Sequence, residues 1–169
     1  MEEDRLIWFK GKVLPISQAK VNVLSPTSQF GANVFEGLRA YWNEVDKQLY
    51  VFRLEEHVQR LLNSIKMMRF EDKFSSSFLV ESCKEIIIAN QFKEDIAVRQ
   101  TVFLDGFGSW FSTSPVEMFI APIAKKRLLQ AGKTGVDCCI SSWERINDNS
   151  LSPKIKVGAN YINSRAGQL

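Results

Sequence analysis

The hydrophobic period of this chain changes near residue 54, and that change limits the folds it can adopt. Before it, short apolar runs such as residues 6–9 and 49–52 are separated by glycine and polar turns, which is typical of strands. After it, apolar residues recur at spacings of three and four, namely Leu54, Val58, Leu61, Ile65 and Met68. This spacing places them on one face of an amphipathic helix.

Further strands and a second helix are predicted around this one. A hairpin is expected over residues 6–15 about Gly11, followed by a turn around Pro26 and a strand that resumes at Leu38. The serines before Phe78 are suited to capping a helix that runs to about Asn90. Two more strands are predicted over residues 96–104 and 116–120. This order of elements indicates an α/β (α+β) fold of two layers.

The hydrophobic period fades after residue 121, which suggests a domain boundary. We expect an N-terminal α/β domain over residues 1–121 and an interdomain linker over 122–135, where Gly132 and Gly135 interrupt the pattern. Residues 136–169, opening with a strand from Val136 to Trp143, would begin a second, larger domain that is incomplete here. About 35 residues are too few for an independent core, so we expect a fragment or an unusually short relative of a larger protein.

Charge and composition argue against several classes of protein. The net charge is +3, from 22 basic and 19 acidic residues that are interspersed, so neither nucleic acid nor a membrane surface is a favoured partner. The acidic N-terminus does not resemble a signal peptide, and no apolar run approaches membrane-spanning length, so a cytoplasmic location is expected. His57 is the only histidine, and no metal site is predicted.

Two lysines near the end of the chain are the first candidates for chemistry. Lys154 and Lys156 stand beside Gly158 and Ala159, small residues that allow a flat ligand to approach the backbone. A lysine amine can form a Schiff base with an aldehyde cofactor. Composition alone favours a simpler interpretation, in which both lysines are exposed at the end of a strand.

Four stretches together favour the Schiff-base role over the exposed strand end. They read Phe-Glu-Gly-Leu-Arg-Ala-Tyr at 35–41, Phe-Arg at 52–53 with Glu-His-Val-Gln-Arg-Leu at 56–61, Ser-Ser-Trp-Glu-Arg at 141–145, and Lys-Val-Gly-Ala-Asn-Tyr at 156–161. In order and spacing they resemble the characteristic segments of branched-chain aminotransferases, the fold-type IV class of pyridoxal-phosphate enzymes. The resemblance covers nearly the whole chain and identifies it as the N-terminal part of such an enzyme.

This resemblance implies a cofactor site. Lys156 would bind pyridoxal 5'-phosphate as an aldimine and, once released, move a proton between the substrate and the cofactor. Arg60 would bind the cofactor phosphate, and Tyr161 would donate a hydrogen bond to the cofactor ring oxygen. From the residues alone, a surface position on the polar side of its helix is favoured for Arg60, and a tyrosine near a strand end, such as Tyr161, commonly only packs.

The resemblance also implies a substrate pocket. Phe30, Phe35 and Gly37 would line it, and Arg99 would reach a substrate carboxylate. Aromatic residues are usually buried, so a core role explains the two phenylalanines nearly as well. Arg39 is equally suited to a structural ion pair. Neither Glu36 nor His57 is given a catalytic role, and His57 is expected to be a partly exposed neighbour of the helix start.

The chain departs from the family pattern at two positions. Ala97 and Phe30 stand where relatives carry tyrosines, so two hydroxyl donors are missing from the pocket and substrate preference is open. The acidic residue that faces the pyridine nitrogen would come from sequence after Leu169, so the fragment by itself is expected to be inactive.

The implied activity is transfer of an amino group between a branched-chain amino acid and 2-oxoglutarate by a ping-pong mechanism, in a homodimer or higher homo-oligomer. Two alternatives keep the fold and cofactor but change the reaction, namely a D-amino-acid aminotransferase or an aminodeoxychorismate lyase. A third is a truncated homologue without catalysis, acting as a binding partner.

Overall fold

The computed structural model describes residues 5–113, 115–124 and 138–168, with side chains to Arg165. Within these residues, one antiparallel sheet has the strand order β2-β1-β6-β5-β3-β4. Its strands are β1 (Leu6–Phe9), β2 (Lys12–Pro15), β3 (Asn33–Asn43), β4 (Gln48–Val51), β5 (Ile96–Leu104) and β6 (Val116–Ala124). The α-helices are α1 (Pro26–Phe30), α2 (Leu54–Met67) and α3 (Ser76–Asn90), and 3-10 helices cover Ile16–Gln18 and Gly158–Gln168. The predicted mixed α/β class is confirmed.

The first hairpin has the turn that its sequence predicts. Phe9 pairs with Lys12, so Lys10 and Gly11 form a two-residue connection between β1 and β2. Both have positive φ, 50° at Lys10 and 84° at Gly11. This matches the twist of antiparallel strands, and glycine adopts it without steric cost.

Helices α2 and α3 cover one face of the sheet and enclose the main core. Helix α2 packs on β3, while α3 packs on β1 and β6. Alternate residues of the strands point toward the helices and are buried there, including Val34, Leu38, Ala40, Val98, Val102, Met118 and Ile120. The helices contribute Val58, Leu61, Ile65, Leu79, Cys83 and Ile86 to the same core. The apolar residues whose spacing predicted α2 therefore lie on the face that the helix buries.

Local signals set where both long helices begin. Arg53, in the left-handed conformation, precedes α2, and Glu55 and Glu56 occupy its first turn, where carboxylates stabilise the positive end of the helix. Ser75 caps α3 by accepting the Phe78 N–H at 3.2 Å. Helix α3 consequently begins at Ser76, two residues before the predicted start, because the cap is the first serine of the cluster and not the last.

Several predicted boundaries differ from the structure. The turn predicted around Pro26 is instead the start of α1, because Ser25 caps the helix and Pro26 fits its first turn. Strand β3 begins at Asn33 and runs through Gly37, where pairing with β5 maintains the extended backbone. Strand β6 continues to Ala124, into the segment predicted as a linker, because it pairs with β5 as far as Ile96.

The second predicted domain is only partly described. Residues 125–137 of the predicted linker and strand lie outside the described residues. The part of the predicted strand that is described, residues 138–143, contains no strand, so that prediction was wrong there. Among the described helices, none is long and apolar enough to cross a membrane.

The packing of α2 makes a stability prediction. Leu61 is fully buried beneath the sheet, so Leu61→Ala should lower the free energy of unfolding by roughly 2–5 kcal/mol through lost transfer energy and a cavity. Met67, on the same helix, is 45% exposed, and Met67→Ala should change it by less than about 1 kcal/mol. Urea unfolding followed by circular dichroism measures both. Equal losses for the two variants would contradict this account of the core.

Candidate active site

Residues 155–157 lie along an edge of β3 that no strand occupies. Strand β4 pairs with β3 only from Ala40 onward, which leaves the earlier part of that edge open. Val157 forms an antiparallel bridge with Val34 there, and the Phe35 N–H donates to the Lys156 carbonyl oxygen at 2.9 Å. The C-terminal segment therefore extends the sheet by a short stretch.

Helix α2 holds the same segment from the other side. The Lys156 N–H donates to the hydroxyl oxygen of Ser64, a buried residue of α2, at 3.2 Å. Ile155 and Val157, 6% and 1% exposed, enter the main core. Because neighbouring side chains of an extended segment point in opposite directions, the Lys156 side chain leaves the core. Its backbone is fixed by one hydrogen bond on each side.

The Lys156 amine lies among aromatic groups. Nζ donates to the Tyr161 hydroxyl at 2.7 Å and lies 4.9 Å from the centre of the Phe35 ring. The rings of Phe35 and Tyr161 are themselves 5.0 Å apart. Among the described residues, no carboxylate forms an ion pair with Lys156. Lys154, by contrast, is exposed, so the two neighbouring lysines differ in environment.

Gly158 lies close to a side chain of β3. A Cβ atom on Gly158 would lie 2.6 Å from the Asn33 Oδ1 atom, so a larger residue would displace the Asn33 side chain. Gly158 begins the 3-10 helix that carries Tyr161.

Arg60 and His57 project from α2 toward a buried carboxylate on β3. Arg60 Nε and Nη2 donate to the two oxygens of Glu36 at 2.5 and 2.7 Å. His57 Nδ1 lies 2.8 Å from Glu36 Oε2. Burial alone would raise the pKa of Glu36, but the hydrogen bonds and charges of Arg60 and His57 outweigh it and lower that pKa. The hydrogen bonds that Arg60 donates to Glu36 raise the pKa of Arg60 in return.

Arg60, Lys156 and Tyr161 border one cavity of about 330 Å³, with Arg145, Ile146 and Asn163 among its other walls. Lys154 also borders it. The structure thus brings together the three residues predicted to bind the cofactor, although Arg60 is distant along the chain from Lys156 and Tyr161. A guanidinium, a lysine amine and a phenol are the groups suited to a phosphate, an aldehyde and a ring oxygen.

A larger cleft of about 670 Å³ lies between β4 and the helices, bordered by Tyr50, Leu54 and Ile88. Both of its lysines are engaged in surface ion pairs, Lys47 with Glu44 and Lys84 with Glu81, each at 2.9 Å. Because its amines are paired and exposed, this cleft has less suitable chemistry despite its size.

The residues predicted to bind substrate divide into two sets. The Arg99 guanidinium stacks 3.9 Å from the centre of the Phe35 ring, and Gly37 faces Arg99 across β3 and β5. These three residues are on the face of the sheet away from α2, where Phe35 also contacts Lys156. Phe30 instead stacks on Trp110, with ring centres 4.1 Å apart.

Sequence reasoning missed the partners of two predicted residues. Ser64 fixes the Lys156 backbone, and Glu36 binds Arg60, but neither had been given a role. The signal for Glu36 is its position, because it lies between Val34 and Leu38 on the apolar face of a strand. A carboxylate on such a face requires a cation nearby. His57 is partly exposed, as predicted, but it binds Glu36 and does not cap α2.

Comparison with known proteins identifies the family. Residues 33–168 match the model of the family described as amino-transferase class IV, and the chain belongs to that family. It is similar to a probable branched-chain-amino-acid aminotransferase of Aquifex aeolicus, with 32% identity over 162 residues, 93% of this chain and 51% of the relative.

Two solved structures are similar in fold. A branched-chain aminotransferase of Thermoproteus uzoniensis with norvaline has 33% identity and a TM-score of 0.86, covering 95% of this chain and 53% of that one. A branched-chain amino acid aminotransferase of T.th., complexed with N-(5'-phosphopyridoxyl)-L-glutamate, has 35% identity and a TM-score of 0.84, covering 95% and 52%. The chain therefore spans about half the length of the relatives it matches.

The docking of residues 155–157 can be tested at Ser64. Ser64→Ala leaves the Lys156 N–H without its acceptor, so we expect a loss of roughly 1–3 kcal/mol in stability and faster hydrogen exchange at the Lys156 amide. Ser82→Ala is the matched control, because Ser82 is also buried but belongs to α3. Exchange followed by NMR or mass spectrometry distinguishes the two. Unchanged protection of the Lys156 amide in Ser64→Ala would contradict the proposed anchoring.

Proposed function

We propose that this chain is the N-terminal part of a pyridoxal-phosphate-dependent aminotransferase. The whole protein transfers an amino group between a branched-chain amino acid and 2-oxoglutarate in two half-reactions, by a ping-pong mechanism. The placement of Lys156 carries this proposal. Its amine has no carboxylate partner among the described residues, it contacts Tyr161, and it borders the same cavity as Arg60.

The donor set fits the cofactor. Lys156 Nζ would hold the cofactor through its aldehyde carbon, because an uncharged lysine amine condenses with an aldehyde and releases water. Tyr161 binds the ring oxygen through its hydroxyl. Arg60 binds the phosphate, for which a guanidinium offers paired hydrogen bonds that an ammonium lacks. The bound cofactor supplies an electron sink for the electrons of the substrate Cα–H bond.

Lys156 has a second role after substrate binds. When it is not bonded to the cofactor, the Lys156 amine would be held near the substrate by the backbone hydrogen bonds that join Lys156 to Phe35 and Ser64. Uncharged Nζ would then accept the proton of the substrate Cα atom and donate it back. The rigid docking of residues 155–157 keeps it within reach in both states.

The substrate side of the site combines aromatic residues with a guanidinium. Phe35 contacts the lysine, and Arg99 stacks on Phe35 opposite Gly37. We propose that Arg99 binds the substrate carboxylate, while Phe35, Gly37 and Phe30 line the pocket for an aliphatic side chain. The Thermoproteus uzoniensis relative is described with norvaline, an unbranched aliphatic amino acid. The T.th. relative carries an L-glutamate adduct, which supports 2-oxoglutarate as amino acceptor.

The remainder of the site is proposed to come from outside this chain. Residues 136–169 begin a larger cofactor domain, whose later part supplies the acidic group facing the pyridine nitrogen. We propose that the protein is a cytoplasmic homodimer or higher homo-oligomer. Three exposed aromatic residues between β5 and β6, Phe107, Trp110 and Phe111, support an association surface on this part of the molecule.

Covalent attachment to Lys156 is the first prediction from this proposal. Lys156→Ala in the full protein that contains this chain should abolish trapping of pyridoxal phosphate by borohydride while the protein still folds. Lys154→Ala is the matched control, and its label should remain on Lys156. Peptide mass spectrometry locates the modified residue. A Lys156→Ala protein with normal turnover would refute the proposed function.

The phosphate contact makes the second prediction. Arg60→Ala should weaken pyridoxal phosphate binding by about 10- to 100-fold, because a hydrogen-bonded charge pair contributes roughly 1.5–3 kcal/mol. Amino-acid specificity should be kept. Arg53→Ala, which removes an arginine paired with Glu56 on the exposed side of α2, is the control. Cofactor titration by absorbance measures the change, and unchanged affinity in Arg60→Ala would exclude the phosphate role.

A further inference from the structure

Glu36 is a fully buried carboxylate on the helix-facing side of β3, 0% exposed. Its neighbours on that side of the strand are Val34 and Leu38, both in the main core. Burying an ionised carboxylate costs several kcal/mol unless cations and hydrogen bonds compensate. A hydrophobic residue would fill this position without that cost, so the carboxylate requires an explanation other than packing.

The compensation comes from two residues one turn apart on α2. Arg60 donates twice, once to each oxygen, and His57 Nδ1 lies within hydrogen-bond distance of Oε2. Because an ionised carboxylate only accepts hydrogen bonds, Nδ1 must carry the proton. Arg60 Nη2, 3.4 Å from the same Nδ1, then faces another donor and forms no hydrogen bond to it. The Glu36 oxygens alone therefore hold both side chains.

The way Glu36 binds Arg60 leaves part of the guanidinium free to bind something else. An arginine has five N–H groups, and Glu36 takes one from Nε and one from Nη2. Among the described residues, no acceptor binds the two N–H groups of Nη1 or the second N–H group of Nη2. The side chain is 51% exposed and borders the cavity of Lys156 and Tyr161. Two parallel N–H groups on that end suit a phosphate.

An exposed ion pair at the start of the same helix shows how a buried carboxylate differs from an exposed one as a partner for arginine. Arg53 Nε binds Glu56 at 2.9 Å, and both side chains are more than half exposed, at 61% and 56%. Such a pair forms and breaks in solvent and fixes neither side chain. Glu36 is immobilised in the core, so the arginine it binds is held in one orientation. An arginine without such a partner loses rotamer entropy when it binds an anion.

We propose that Glu36, supported by His57, is a positioning residue that orients Arg60 toward the cofactor phosphate. This inference rests on the proposed function, because it takes the anion to be the phosphate of pyridoxal phosphate. Its effect is confined to the phosphate end of the cofactor. Glu36 therefore sets the preference of the site for phosphorylated over unphosphorylated pyridoxal, without contacting either one.

The test is Glu36→Gln, an isosteric change that removes the charge and replaces one acceptor oxygen with a donor. In the full protein that contains this chain, the dissociation constants for pyridoxal phosphate and for pyridoxal are measured by absorbance titration. We expect Glu36→Gln to weaken pyridoxal phosphate binding about tenfold, the size of effect seen when a supporting hydrogen-bond partner is lost, and to leave pyridoxal binding unchanged.

Two further variants complete the experiment. Glu56→Gln, the same substitution on the exposed side of α2, should change neither constant. His57→Ala, which keeps the ion pair of Arg60 and Glu36 but removes the third donor, should weaken pyridoxal phosphate selectively by about threefold. It tests the proposal independently if Glu36→Gln does not fold. In an Arg60→Ala background, Glu36→Gln should add less than about twofold, because the residue it positions is absent.

The outcomes separate the two proposals. If both ligands weaken equally in Glu36→Gln, or neither weakens, the positioning role is overturned while the cofactor assignment stands. If the unmodified protein binds pyridoxal phosphate no more tightly than its Lys156→Ala variant, the proposed function fails, and the role of Glu36 fails with it.

Discussion

The candidate site depends on the docking of one short segment at an open sheet edge. Strand β4 is too short to cover the first half of β3, and residues 155–157 occupy the space left beside it. Two buried apolar side chains, Ile155 and Val157, hold the segment in the core, and hydrogen bonds from Phe35 and to Ser64 fix the backbone between them. Lys156 is thereby presented from a rigid support, which reactive side chains require.

The two faces of β3 carry different parts of the proposed cofactor site. One face carries Phe35, which contacts the lysine, and Gly37, which lies opposite Arg99. The other carries Glu36, which binds Arg60 from within the core. Successive residues of one strand would thus act on both ends of the proposed ligand, because a strand alternates its side chains between faces. This alternation accounts for the opposite directions of Phe35 and Glu36.

Local patterns predicted most elements but not all of their limits. The hydrophobic period was sufficient to predict α2, because the helix is amphipathic over its whole length. The limits of β5 were predicted correctly, because most of its residues are apolar or β-branched. Strand β3 was predicted to resume only after Gly37, since glycine usually interrupts strands, yet ladder pairing with β5 maintains it. The strand predicted to start at Val136 is absent over residues 138–143, which pair with no strand among the described residues.

The sequence by itself determined the class of fold, the family resemblance and the identity of Lys156, Arg60 and Tyr161 as candidates, because periodicity and the order of short motifs are local properties. Only the tertiary structure decided that these three border one cavity, that Lys156 differs from Lys154 in its environment, and that Glu36 and Ser64 support the site. The physical reason is that hydrogen bonds and desolvation depend on groups brought together from distant positions. No spacing along the chain indicates which donor will meet a buried carboxylate.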